Sequence, residues 1–81
     1  MARRAKSSKA LTLTQVSLNL GLRVRAERRR LGLTQERLAE RLRLSANFIA
    51  HLEKGSRQPS LDTIVALARV LGVSISRLFR A

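Results

Sequence analysis

Residues 34–55, TQERLAERLRLSANFIAHLEKG, contain two short helical patterns separated by only a few residues. Thr34 and Ser45 each precede one of these patterns, and both are residue types that cap helix N-termini. Gly55 fits the left-handed position that follows a helix C-terminus. Helices joined by so short a connection cross at a steep angle instead of packing antiparallel. This stretch therefore predicts a helix-turn-helix whose second helix runs from Ser45 to Lys54.

The second helix of this pair has a small and polar outer face. When Ile49 is set towards the core and each residue is advanced by about 100°, Leu52 and Glu53 fall within about 60° of it. The residues that point away are Asn47, Ala50, His51 and Lys54. Small residues let a helix approach base edges, and asparagine can pair bidentately with adenine. A DNA-reading helix and a plain solvated face both fit this pattern.

The charge of the chain favours the DNA-reading interpretation. The 81 residues include 17 Lys and Arg against 5 Asp and Glu, which gives a formal net charge of +12. Such an excess favours a polyanionic partner, with nucleic acid ahead of an acidic membrane surface. Only two aromatic residues are present, which argues against single-strand binding by base stacking.

Several other classes of protein are excluded by composition. The chain has no cysteine, so disulfides, thiolate zinc sites and cysteine nucleophiles are absent, and the single histidine cannot form a histidine metal site alone. The longest apolar run, residues 64–68, is too short for a membrane span. We therefore predict no metal, no cofactor and no membrane partner, and a cytoplasmic location in association with the nucleoid.

A longer helix is predicted before the central pair, from about Leu18 to Leu31, with Leu20, Val24 and Leu31 on one stripe and Gly32 at its end. Residues 1–17 are predicted to form a basic flexible N-terminal arm, and residues 18–81 the DNA-binding domain. Within the arm, residues 11–17, LTLTQVS, alternate between apolar and polar. This alternation fits a short strand or the lead-in to a helix, and the sequence does not choose between them.

Two helices are predicted after the central pair. Ser60 caps one that runs from Leu61 to Leu71, in which Leu61, Ile64, Leu67, Ala68 and Leu71 recur at helical spacing, and Gly72 ends it. Ser74 caps a short last helix that contains Ile75, Leu78 and Phe79. No segment is a convincing strand, so the predicted fold class is all-α with five helices.

Four blocks of this sequence occur together at specific spacings. They are Leu31-Gly32-Leu33-Thr34-Gln35-x-x-Leu38-Ala39, Ser45-x-x-x-Ile49-x-x-Leu52-Glu53-x-Gly55, Pro59-Ser60-Leu61 and Leu71-Gly72-Val73-Ser74. Together they resemble the Cro/C1-type (XRE family) helix-turn-helix of phage repressors and bacterial regulators, over about residues 20 to 79. The resemblance implies a compact five-helix bundle of the lambda-repressor-like type. It also implies sequence-specific binding of duplex DNA, usually as a homodimer on a palindromic operator.

The resemblance also implies roles for particular residues. Base reading falls to Ala46, Asn47 and His51, with Ala50 on the same outward face. Phosphate binding is expected of Gln35, Arg43, Ser45, Lys54, Ser56 and Arg57. Phe48, on the flank of the second helix, is expected to be partly buried. Arg43 departs from the family, which often has glycine in this turn. If the turn needs a positive φ, Arg43 is strained by about 1 kcal/mol; alternatively, it contacts a phosphate.

Two further features concern packing and assembly. Glu53 and Arg28 both lie on core-leaning faces, and the resemblance places an ion pair at these two positions; the alternative is that Glu53 reaches another cation. The last predicted helix is so short that only some of its apolar side chains can face the core. We assign a two-fold homodimer interface mainly to Ile75 and Phe79, against the alternative that its apolar residues all close the bottom of the core.

Functions other than DNA binding fit the sequence less well. His51, Asp62 and the serines can be combined into a triad on paper, but His51 lies on a convex helix face without a pocket, so we do not predict an enzyme. A protein-interaction module, such as the antitoxin of a toxin–antitoxin pair, is the main alternative. An RNA-binding role is disfavoured because the deep, narrow major groove of A-form RNA excludes a helix.

Overall fold

A computed structural model describes residues 12–80 of the chain. The helices are α1 (Leu13–Arg30), α2 (Gln35–Leu42), α3 (Ala46–Lys54), α4 (Leu61–Leu71) and α5 (Ile75–Leu78). This part of the chain contains no strand. The predicted all-α fold with five helices is confirmed, and the bounds of α2, α3 and α4 agree with those predicted.

Each helix begins after a hydroxyl side chain that accepts a hydrogen bond from the backbone N–H three residues ahead. The capping residues are Thr12, Thr34, Ser45, Ser60 and Ser74, with N···O distances of 3.0 to 3.2 Å. A bond of this kind satisfies one of the N–H groups that a helix leaves free at its start. Because four of these caps are readable from the sequence, the starts of α2 to α5 could be predicted closely.

The start of α1 differs from the prediction. The helix begins at Leu13 and not at Leu18, because Thr12 and Gln15 form a reciprocal capping box. The Gln15 N–H donates to Thr12 Oγ1 and the Thr12 N–H donates to Gln15 Oε1, both over 3.0 Å. Residues 13–17 are thus helical, so the prediction of a flexible arm over residues 1–17 was wrong for them. Residues 1–11 lie outside the described part, where the arm stays a prediction.

The core receives apolar side chains from every helix. Its most completely buried members are Val24, Leu38, Ile49, Leu52, Leu67, Leu71 and Leu78. Two residues that the apolar pattern placed inward are instead on the surface: Leu31 is 40% exposed and Leu61 is 80% exposed. Leu31 follows the last residue of α1 and Leu61 is the first residue of α4, so neither has a full helical turn around it to hold it against the core.

Gly21, in the middle of α1, allows this helix to pack closely against α3. A Cβ atom at this position would lie 2.5 Å from the carbonyl oxygen of Leu52 and 2.6 Å from that of Glu53. These distances are shorter than a carbon–oxygen contact allows, so no other residue fits without moving backbone. The absence of a side chain at Gly21 therefore brings α1 directly alongside the second helix of the helix-turn-helix.

Candidate nucleic-acid interface

The two faces of α3 are oriented as the sequence predicted. Ile49, Leu52 and Glu53 are buried. On the other face, Asn47, His51 and Lys54 are exposed, while Ala46 and Ala50 are half-buried. The outer face therefore combines small side chains near the helix surface with polar groups that reach outward. A helix with this profile can approach the edges of base pairs.

The turn between α2 and α3 places Arg43 in a left-handed conformation. Its φ is 58° and its ψ is 42°, and among residues 12–80 it is the only residue other than glycine with a positive φ. The turn therefore needs a positive φ at this position, and the Arg43 backbone is strained by about 1 kcal/mol relative to glycine. The Leu44 N–H donates to Ala39 O over 2.9 Å and closes the turn. The Arg43 side chain is exposed immediately before α3.

Arg28 and Glu53 form the predicted ion pair. Arg28 Nε donates to Glu53 Oε2 over 2.6 Å, and Arg28 Nη2 donates to Glu53 Oε1 over 3.1 Å. Arg28 Nη1 also donates to the carbonyl oxygen of Leu33 over 2.8 Å. The hydrogen bonds to Glu53 raise the pKa of Arg28 above its usual value. The pair therefore fixes α3 to α1 and to the loop before α2.

Gln35, a predicted phosphate-binding residue, belongs to the same network. Its Nε2 donates to Glu53 Oε1 over 3.1 Å, so one of its two amide hydrogens is engaged inside the protein. The other amide hydrogen and the free backbone N–H groups at the start of α2 are available to an anion. Gln35 therefore connects the buried ion pair to the surface beside α3.

Ser56 and Arg57 lie against α3 from its C-terminal side. Ser56 Oγ donates to the carbonyl oxygen of His51 over 3.1 Å and also lies 3.1 Å from His51 Nδ1. This contact holds the imidazole by one nitrogen and leaves Nε2 for a partner outside the protein. Arg57 is stacked on Phe48, with its guanidinium carbon 5.2 Å from the ring centre. Phe48 itself is partly buried against the core, as predicted.

Ser45 and Lys54 stand at the two ends of α3. Ser45 Oγ accepts a hydrogen bond from the Phe48 N–H over 3.0 Å, which leaves its hydroxyl hydrogen for an outside acceptor. Lys54 is the last residue of the helix and is exposed. The structure therefore brings the predicted base-reading and phosphate-binding residues to one surface around α3.

Sequence reasoning missed the role of Glu27, a buried acid on α1. Arg30 Nε donates to Glu27 Oε1 over 2.6 Å, and Arg77 Nε donates to Glu27 Oε2 over 3.0 Å. Arg23 Nη1 lies 3.7 Å away. The hydrogen bonds from Arg30 and Arg77 hold the pKa of the Glu27 carboxyl below its usual range. Arg77 is 50 residues distant in sequence, so no local pattern indicates this pairing.

The two residues assigned to a dimer interface are on the surface of this chain. Ile75 is 45% exposed and Phe79 is 38% exposed, whereas Leu78 between them is fully buried. Val73 is partly buried against the core. The alternative in which all four residues close the bottom of the core is therefore wrong for Ile75 and Phe79.

Residues 12–80 contain neither a cluster of metal-ligating side chains nor a helix that could cross a membrane. No three histidine, aspartate or glutamate side chains in this range are close enough to hold a metal ion. None of the described helices has the length and apolar character needed to cross a membrane.

The sequence of this chain is similar to those of known helix-turn-helix proteins. The HTH_3 helix-turn-helix family model matches residues 24–78. An immunity repressor protein of Bacillus phage phi105 is 39% identical over 59 residues, which are 73% of this chain and 41% of the repressor. An uncharacterized HTH-type transcriptional regulator of Methanothermobacter thermautotrophicus is 49% identical over 49 residues, which are 60% of this chain and 71% of the relative.

A solved structure shares the fold of this chain. The restriction-modification controller protein C.AhdI of Aeromonas hydrophila superimposes with a TM-score of 0.73 at 35% identity. The superposition covers 76% of this chain and 94% of the controller. The chain thus spans nearly the whole of this controller but less than half of the phage repressor.

Proposed function

This chain belongs to the HTH_3 (XRE) helix-turn-helix family of DNA-binding transcriptional regulators, and on that basis we propose that it is a repressor that binds a palindromic operator as a homodimer. The observation that carries the proposal is the orientation of α3. Its apolar side and Glu53 are held in the core, and its small, polar side faces outward beside residues that can bind phosphate. The net charge of +12 supports a polyanionic partner.

In this proposal α3 lies in the major groove and its outer face reads the bases. Asn47 pairs bidentately with an adenine, and the Ala46 methyl group contacts a thymine methyl. Ala50 allows close approach because its side chain is small. His51 contacts a base edge through Nε2, because Ser56 occupies Nδ1.

Phosphate contacts fix the position of α3 in the groove. The residues proposed for this role are Gln35, Arg43, Ser45, Lys54, Ser56 and Arg57. Phe48 supports one of them, because its ring lies beneath the Arg57 guanidinium and restricts where this charge can be. Contacts of this kind set the register of the protein and carry no sequence information directly.

The homodimer brings two copies of α3 to successive half-sites about 34 Å apart. We assign its two-fold interface to Ile75 and Phe79, which leave apolar surface exposed on a single chain. The proposal places the protein in the cytoplasm, in association with the nucleoid. It assigns no catalytic activity, because two of its relatives are named as an immunity repressor and a transcriptional regulator.

The test is selection of bound duplexes from a random DNA pool, followed by competition with RNA. The proposal expects a palindromic consensus and weak competition by RNA. With roughly 6–10 phosphates neutralised per dimer, log K should fall against log[salt] with a slope of about −5 to −9. Selection of a single unrepeated half-site would contradict dimeric binding, and a slope near zero would contradict the electrostatic contribution.

A further inference from the structure

A cleft of about 340 Å³ lies where α1, α2 and α3 meet. Its walls are formed by Arg25, Arg28 and Arg29 of α1, Gln35 of α2, and Ala50 and Lys54 of α3. Glu53 also lines it, and its carboxylate is bound by Arg28 and Gln35. The cleft therefore opens at the edge of the α3 face to which base reading is assigned, although its α1 residues have no place in the function proposed above.

The charges around this cleft are not balanced. Arg28 and Glu53 neutralise one another at its base. Arg25, Arg29 and Lys54 are exposed, and within residues 12–80 none of them forms an ion pair. Three positive charges around one small cleft repel each other in the folded protein, so they do not stabilise the fold. This arrangement favours an anion from outside the chain.

The position of the cleft shows which anion it fits. Around α3, Ala50 and Phe48 lie about 100° from the inward-facing Ile49 on its two sides, and His51 points almost directly outward between them. Ser56 contacts His51 and Arg57 stacks on Phe48 at one edge of this face, whereas the cleft lies at the other edge, beside Ala50. A helix in the major groove has a phosphate backbone on either side of it, and contacts to phosphates fix its register.

We propose that Arg25 and Arg29 bind the phosphate backbone of the DNA strand that passes the Ala50 edge of α3. This inference rests on the proposed function and adds two α1 residues to its phosphate contacts. Residues four apart share one face of a helix, so both guanidinium groups serve the same cleft. Arginine suits this role because its planar group binds phosphate oxygens bidentately. The N-terminus of α2 at Gln35 adds a favourable dipole.

The direct test is the salt dependence of duplex binding by Arg25→Gln, Arg29→Gln and the double variant. Each arginine removed from both protomers of a dimer deletes two phosphate contacts, so each single variant should make the slope of log K against log[salt] shallower by about 1.8. The double variant should lose roughly twice as much. Affinity for the selected operator and for an unrelated duplex should fall by a similar factor, because these contacts carry no base information.

Arg69→Gln is the matched control, since it removes one exposed charge from α4, outside the cleft. It should change the slope much less than Arg29→Gln. Equal effects of the two variants would mean that only overall charge matters, and this would overturn the assignment. Melting temperatures of the Arg25 and Arg29 variants should not fall below that of the wild type, because within residues 12–80 neither side chain forms an ion pair that the substitution would remove.

A second measurement locates the contact on the DNA. Ethylation of single phosphates on the selected operator should interfere with wild-type binding at positions where the double variant is insensitive. These positions should adjoin those at which Gln35→Ala changes the interference pattern. Identical interference patterns for wild type and double variant would overturn the inference while leaving the proposed function intact. A wild-type protein that binds no duplex would overturn both.

Discussion

Arg77 of α5 donates through Nε to Oε2 of the buried Glu27 of α1, over 3.0 Å, and so ties the last helix to the first. Arg30 binds the other carboxylate oxygen and also donates through Nη2 to the carbonyl oxygen of Leu71, over 3.2 Å. One carboxylate therefore connects α1, α5 and the end of α4. This arrangement holds α5 in position beneath the bundle, where it presents Ile75 and Phe79 to solvent.

We expect Glu27→Gln to lower the free energy of unfolding at neutral pH by about 1.5–3 kcal/mol, the usual range for hydrogen bonds to charged groups. Because the pKa of Glu27 is lowered in the folded protein, its contribution is present above the ordinary carboxyl value of about 4.3 and is lost as the pH falls below it. Urea unfolding from pH 7 to pH 3 should thus be less pH-dependent in the variant. Glu40→Gln, at an exposed position, should keep the wild-type profile.

Glu53→Ala should destabilise the fold far more than Glu40→Ala. The first substitution leaves Arg28 buried without its partner, and loss of one member of a buried pair costs about 3–5 kcal/mol. Glu40 is paired only at the surface, at 4.0 Å from Arg37, where such contacts contribute little. Thermal melting of both variants is the measurement. Equal shifts in melting temperature would show that the Arg28–Glu53 pair does not stabilise the fold.

Gly21→Ala should destabilise the protein although alanine is the better helix former by about 1 kcal/mol. The added Cβ meets the carbonyl oxygens of Leu52 and Glu53, which are backbone atoms and cannot rotate away. We expect a net loss of about 1–3 kcal/mol, as for other overpacked sites. Thr14→Ala, at an exposed position of the same helix, should be neutral or stabilising. A more stable Gly21→Ala variant in urea unfolding would contradict the close α1–α3 contact.

Asn47→Ala and Arg57→Ala should affect DNA binding in different ways. Loss of the asparagine should cost about 1–3 kcal/mol on the selected operator and relax the preference at one position of each half-site. Loss of the arginine should weaken binding to all duplexes by a similar factor. Repeating the duplex selection with both variants tests this difference. An unchanged consensus and affinity for Asn47→Ala would show that α3 does not read bases through this residue.

The double variant Ile75→Asp/Phe79→Asp should remain folded and become monomeric, because both side chains are exposed in a single chain and would carry like charges into a two-fold interface. Sedimentation at micromolar concentration, with and without operator DNA, measures the change. Leu61→Asp alters an apolar residue that is 80% exposed on α4 and should leave the mass unchanged. A folded double variant that still dimerises would refute the assigned interface.

The sequence by itself determined the number of helices, the bounds of α2 to α4 and the orientation of α3. Capping residues such as Ser45 and Ser60 act on N–H groups three residues away, and glycines such as Gly55 end a helix through their own backbone conformation. The apolar period then shows which side of each helix is buried. These effects are local, so they remain visible in the order of residues, and with them the outward positions of Asn47 and His51.

Only the tertiary structure decided which distant residues share a site. Glu27 pairs with Arg77 across 50 positions, and Gly21 meets the end of α3, because helices far apart in sequence pack side by side. The same packing brings Arg25 and Arg29 of α1 to the edge of α3, where a sequence with 17 basic residues does not single them out. Apart from the Arg28–Glu53 pair, which the family resemblance implied, contacts between helices depend on how several surfaces fit at once, so they become readable only when all five helices are in place.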